Sequence, residues 1–161
     1  MVRDILVFPD PFLARKAAPV ARVDERVREL IRDMFDTMYE SEGIGLAATQ
    51  VGVAKRVIVV DVSPADEAAS PIALVNPEII GREGELTTCM EGCLSVPGVQ
   101  GEVSRSEGVV VSGLNENGEP VTLRAGGILA RCLQHELDHL DGVLFIDRIS
   151  TPIPVPPAAG K

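Results

Sequence analysis

His135-Glu136-Leu137-Asp138-His139 carries the plainest chemistry in this 161-residue chain. In a helix, residues four apart differ by about 40° in azimuth and about 6 Å in rise. Both imidazoles then leave one face and can grip one metal ion at roughly 2.0–2.1 Å. Glu136, about 100° around the helix from His135, flanks that ion without having to coordinate it. This is the placement of a general base acting on a water held at the metal. Two helical histidines can also be ordinary core or surface residues. Here they are the only 2 in the chain, and the segment around them (Ile128, Leu129, Ala130, Cys132, Leu133, Leu137, Leu140) is otherwise apolar. Imidazoles and carboxylates inside such a helix are costly unless they share a purpose.

A catalytic site on this plan needs a third protein ligand and one open position. Cys93, in Glu91-Gly92-Cys93-Leu94-Ser95, is the natural donor. Cys89, four residues earlier, competes on chemistry alone, whereas Cys132 reads as a buried structural thiol. A thiolate with two imidazoles accommodates iron(II) as well as zinc. Were Cys89 and Cys93 both to bind, the result would be a closed Cys₂His₂ site in a structural protein, with no exchangeable water and no hydrolysis. A metallopeptidase would ordinarily bring a third ligand that is His or Glu, and no third histidine exists.

The elements that must position these residues are legible in outline. Residues 1–23, interrupted by Pro9, Pro11 and Pro19, are expected to be irregular. From an N-cap at Asp24, the residues Val27, Leu30, Ile31, Met34, Phe35 and Met38 form the apolar stripe of an amphipathic helix ending near Ser41. After a Gly-rich segment, Arg56–Asp61 reads as a strand. Ile72–Ile80 and Leu86–Met90 read as two more, separated by Gly81 and Gly84. Val109–Leu114 and Val121–Arg124 flank Asn117-Gly118, a hairpin signal. A second helix is expected over Ile128–Leu140, with Gly142 to stop it. Helix, strands, helix in that order predicts an α+β fold, with mostly antiparallel sheets packed around the metal-binding helix. From Thr151 to Lys161 four prolines exclude a helix and predict an extended tail.

Composition bounds the rest. Hydrophobic residues are 45% but aromatics only 3%, so the core must be aliphatic. The net charge of −9 disfavours direct contact with nucleic acid or anionic lipid. No export signal opens the chain, no apolar run nears the roughly 20 residues of a membrane span, and three cysteines form no disulfide scaffold. Together these predict a cytoplasmic protein without a membrane segment.

Three segments, in order, resemble the peptide deformylase family: Gly43-Ile44-Gly45-Leu46-Ala47-Ala48-Thr49-Gln50, Glu91-Gly92-Cys93-Leu94-Ser95, and His135-Glu136-Leu137-Asp138-His139. The resemblance implies a catalytic domain over residues 1–150, followed by the tail at 151–161. It implies hydrolysis of the formyl group from the N-terminal formylmethionine of nascent peptides, with formate as co-product. Cys93, His135 and His139 would hold one divalent ion, iron(II) in the cell, with zinc, nickel or cobalt able to occupy the site. Glu136 would be the base, while the Gln50 amide and the Leu94 N–H would donate to the developing oxyanion. Gly43, Ile44, Gly45 and Gly92 would meet substrate, Ile128 and Cys132 would line the methionine pocket, and Glu91 and Arg105 would support the wall. The chain departs from the family at two places. Arg131 stands where an aliphatic residue is usual, either pointing outward or narrowing the pocket. Pro152 onward excludes the basic C-terminal helix with which many relatives dock at the ribosome.

Overall fold

The computed structural model describes residues 1–149 and the backbone of 153–154. The expectations for the Pro-rich tail otherwise lie outside the described residues. Helix α1 spans Glu25–Glu40, and the Asp24 side chain accepts a hydrogen bond from the Val27 N–H. Such a cap is worth about 1 kcal/mol. Its buried stripe of Val27, Leu30, Ile31, Met34 and Met38 packs on one face of a sheet, against Leu46, Val57, Val59 and Val75.

That sheet runs in the order β1 (Gly45–Ala47), β2 (Val57–Val60), β3 (Ile72–Cys93), β4 (Val96–Leu114), β5 (Pro120–Gly126), all pairs antiparallel. A sixth strand, β6 (Ile153–Pro154), pairs with β4 at Val99 and Gln100. Helix α2 spans Gly127–Leu140 and covers the other face. Strand β2 shows the two-sided burial directly: Val57 and Val59 join the α1 cluster, while Ile58 and Val60 join Leu133, Leu137 and Leu140 of α2. Period-two alternation divides one four-residue strand between two aliphatic cores.

One expectation is corrected. The separate strands Ile72–Ile80 and Leu86–Met90 are one strand, because β4 supplies a continuous partner: Gly81 pairs with Val110, and irregularities at Ile79/Gly81 and Glu83/Leu86 take up the slack. Gly84 sits at the second of these with φ +71°, a conformation open to glycine at little cost. The hairpin expected around Asn117-Gly118 is present, joining the antiparallel β4 and β5. Residues 115–119 form the loop, with Asn115 Oδ1 accepting from the N–H groups of Asn117 and Glu119.

The paired β3 and β4 form a long arm whose tip is the turn at Leu94-Ser95, where Cys93 faces Val96. This arm carries one part of the site to α2. At the far end of α2, Gly142 (φ +75°) ends the helix against the backbone of Ala14, close enough that any Cβ would collide.

Candidate metal centre

Three chain segments meet on one face of α2, from its middle to its last turn. Helix α2 supplies Cys132, His135, Glu136 and His139; the tip of the arm supplies Glu91 to Ser95; the short turn after β1 supplies Gln50. The ligand atoms of Cys93, His135 and His139 lie within 4.8 Å of one another. Cys93 Sγ is 3.2 Å from His139 Nε2. Two further donors lean on the sulfur: the Ser95 N–H at 3.4 Å and Gln50 Nε2 at 3.6 Å. Cys89 is exposed on the arm and outside this group, so a Cys₂His₂ shell is not assembled. Cys132 is buried, with its thiol directed at the Ile44 carbonyl at 3.5 Å, and burial raises its pKa.

The amide of Gln50 is oriented by its neighbours. Its Oε1 accepts from the Ala47 N–H at 2.9 Å, so Nε2 must be the group that points at Ser95 Oγ (3.0 Å) and toward Cys93. Gln50 is fully buried, and its donor faces the cleft rather than water.

Charge is organised around Glu91. Burial works to raise its carboxyl, but hydrogen bonds from His135 and Arg105 outweigh it and hold the group at about 2. His135 Nδ1 lies 3.0 Å from Glu91 Oε1, which leaves Nε2 for the centre. Burial opposes charge on His135, yet hydrogen bonding to Cys93 and the carboxylates of Glu136 and Glu91 raise the ring to about 10. Surroundings this negative favour a cation at that place, whether a proton or a metal ion. His139, by contrast, is driven well below the ordinary imidazole range by burial and by neighbouring His135 and Arg105. Neutral imidazole is the form that binds metal.

The donor set suits one divalent ion of borderline softness. Among the described residues, Glu136 Oε1 and His139 Nδ1 are buried without a hydrogen-bond partner, the latter being the ring nitrogen away from Cys93. Both belong to this cluster. Burial raises the Glu136 carboxyl to about 7, against the pull of His135 and Arg105.

A cleft of about 720 Å³ opens beside the centre. Every residue expected to meet substrate or line the methionine pocket borders it (Gly43, Ile44, Gly45, Gly92, Ile128 and Cys132), as do Glu91, Gln50, Leu94, Cys93, His135 and Glu136. His139 lies behind them. Arg105 does not reach the cleft; it is buried, pairing with Glu91 through Nε (2.6 Å) and Nη2 (2.9 Å), and with Asp138 through Nη1 (2.9 Å). Arg131 lines the cleft, with its guanidinium bonded to Glu91 and the arm.

Several participants were not legible in the chain. Ser95 fixes the Gln50 amide, and its only signal was adjacency to Cys93. Asp138 anchors Arg105 and Arg148, whose guanidinium donates to it at 2.5 and 2.7 Å. Nothing local marks Arg148.

Comparison with known proteins points to a single family. A family model described as polypeptide deformylase matches residues 2–153. A peptide deformylase of Neisseria meningitidis is 55% identical over 147 residues, 91% of this chain and 86% of that protein. One from Aquifex aeolicus is 51% identical over 150 residues, 92% and 88%. Among solved structures, a peptide deformylase from Synechococcus elongatus in complex with actinonin aligns with a TM-score of 0.88 at 48% identity, covering 92% of this chain and 79% of that one. A Thermotoga maritima peptide deformylase aligns at 0.87 and 44%, covering 94% and 99%.

Proposed function

This chain belongs to the polypeptide deformylase family, and from that premise we propose how its own residues divide the work. The enzyme is a metal-dependent hydrolase that removes the formyl group from N-terminal formylmethionine. The observation that carries the proposal is the meeting of Cys93, His135 and His139 beside the unpartnered Glu136 carboxylate in an open cleft. Those three side chains hold one divalent ion, iron(II) in the cell, which supplies Lewis-acid activation of water and polarisation of the formyl oxygen.

Glu136 takes the proton of the attacking water and returns it to the departing amine. A carboxyl near neutrality can serve in both directions, and burial brings Glu136 into that range. As the water oxygen adds to the formyl carbon, negative charge grows on the formyl oxygen. Gln50 Nε2 and the Leu94 N–H donate to it. Gln50 is held in advance by Ala47 and Ser95, so little reorganisation is needed when the charge appears.

Substrate backbone pairs with Gly43, Ile44, Gly45 and Gly92, a mode tolerant of many sequences. The methionine side chain enters between Ile128 and Cys132. Glu91 orients His135 from behind. The products are formate and a peptide with a free N-terminal methionine, and the enzyme works on nascent chains in the cytoplasm.

The decisive experiment is formate release from a short N-formylmethionyl peptide, run anaerobically with iron(II)- or nickel-loaded protein. Glu136→Ala, still metal-loaded, is the control. Release by the parent and loss in the variant at equal metal content establish the activity and its base. No release from a folded, loaded parent would overturn the assignment.

A further inference from the structure

Resting on the metal-centre assignment above, we propose that Arg131 is a positioning residue: it clamps Glu91 and the β3–β4 arm to α2 and so holds the His135 imidazole in its ligating orientation. The hydrogen bonds at Glu91 carry this. Its Oε1 accepts from His135 Nδ1 (3.0 Å) and Arg105 Nη2 (2.9 Å). Its Oε2 accepts from Arg105 Nε (2.6 Å) and Arg131 Nη1 (2.7 Å). Arg105 already fixes the carboxylate through two parallel bonds, and Arg131 adds a fourth donor on Oε2, the oxygen that His135 does not contact.

Arg105, on β4, already ties Glu91 of β3 to Asp138 of α2, and Arg131 adds a second tie that runs from α2 to the backbone of the arm. Its Nη1 also reaches the Val103 carbonyl on β4 (3.0 Å), and its Nη2 reaches the Thr87 carbonyl on β3 (2.7 Å) and Thr87 Oγ1 (3.2 Å). One guanidinium therefore joins both strands of the arm to the helix. Position matters as well. Arg131, His135 and Asp138 fall one helical turn apart along α2, and all three engage Glu91 or its partner Arg105. They form a stripe beside the reactive one of Cys132, Glu136 and His139, and His135 belongs to both. The planar fork makes several bonds at once, and a lysine in its place would not. Arg131 also lines the cleft while its charged end is so engaged.

The test is titration of the purified protein with cobalt(II), followed by its thiolate charge-transfer and ligand-field bands, with thermal unfolding measured alongside. The parent binds one equivalent, and Cys93→Ser abolishes the charge-transfer band. In Arg131→Met, cobalt(II) binds about 10- to 100-fold more weakly, the range for loss of a group that orients a metal ligand, and the ligand-field bands shift. Arg131→Lys falls between the two. Parent-like affinity and bands in Arg131→Met, even with a lowered Tm, would overturn the proposal and leave Arg131 a structural clamp only. If Arg131→Met does not fold, Arg131→Lys decides: weaker binding with shifted bands supports the proposal, and unchanged values overturn it. A parent that binds no cobalt(II), or a Cys93→Ser variant that binds it as the parent does, would instead overturn the metal-centre assignment and this proposal with it.

Discussion

Cys93 Sγ and His139 Nε2 lie 3.2 Å apart although 46 residues separate them in the chain. The first stands at the tip of a two-stranded arm and the second in the last turn of a helix, and only the docking of that arm on α2 brings them together. Cys89, on the same strand, remains exposed. Replacing each cysteine by serine should therefore separate the two. Cys89→Ser keeps metal content and formate release at the parent level. Cys93→Ser weakens metal binding by more than the ~10- to 100-fold associated with outer-shell losses. Metal analysis after dialysis reads both.

Gly45 faces the base. A Cβ there would stand 2.7 Å from Cys132 Sγ and closer still to Glu136 Oε2. The carboxylate is the far end of a flexible side chain, so it yields before the backbone does. Gly45→Ala should thus fold, with a far-ultraviolet spectrum like the parent's, while kcat falls about 100-fold, as a misplacement near 1 Å can cost. A parent-like kcat would show that Glu136 has room to spare.

Gln50 is the buried donor aimed at the cleft. Gln50→Ala is expected to lower kcat by about 10²–10³ with little change in KM, the pattern of a donor that acts mainly on charge developing in the transition state. An effect confined to KM would assign Gln50 to ground-state binding instead.

Tyr39 and Asp61 make a pH-dependent contribution away from the metal. The Tyr39 hydroxyl donates to Asp61 Oδ2 at 2.7 Å. That bond, with Ser63, lowers the Asp61 carboxyl against its burial. Burial and Asp61 in turn raise the Tyr39 phenol to about 12. For Asp61 the folded value lies below the unfolded one, so its stabilisation is present above about pH 4 and fades as pH falls. For Tyr39 the folded value lies above the unfolded one, so its share is present below about pH 10 and fades as pH rises toward 12. Tyr39→Phe should cost about 1 kcal/mol at pH 7, given the half-exposed ring. The difference from the parent should narrow in acid below pH 4, measured by urea unfolding at several pH values. A gap independent of pH would mean the loss is packing alone.

Helix α1, its Asp24 cap, strand β2 and helix α2 could be read from the chain because each carries its own signal: a stripe at helical spacing, a capping carboxylate, a β-branched run. The pairing of His135 with His139, and Glu136 beside them, was equally local, since four residues of helix fix their relation whatever surrounds it. Cys93 stood out as the natural third donor with Cys89 as its rival, and the family resemblance added Gln50 through short segments that stand in order along the chain. The arm was not legible. The half of β4 from Val96 to Glu107 has Pro97, Gly98 and Gly101 and no clear alternation, and it is a strand because β3 lies beside it. Nor did spacing reveal that Arg105, Arg131 and His135 converge on Glu91 from three directions, or that Ser95 turns the Gln50 amide. Those relations depend on how the arm lies across α2, which is set by burial and hydrogen bonding between segments distant in sequence. Local chemistry thus identified the ligands and the base, and tertiary packing decided which cysteine reaches them and what holds the imidazole still.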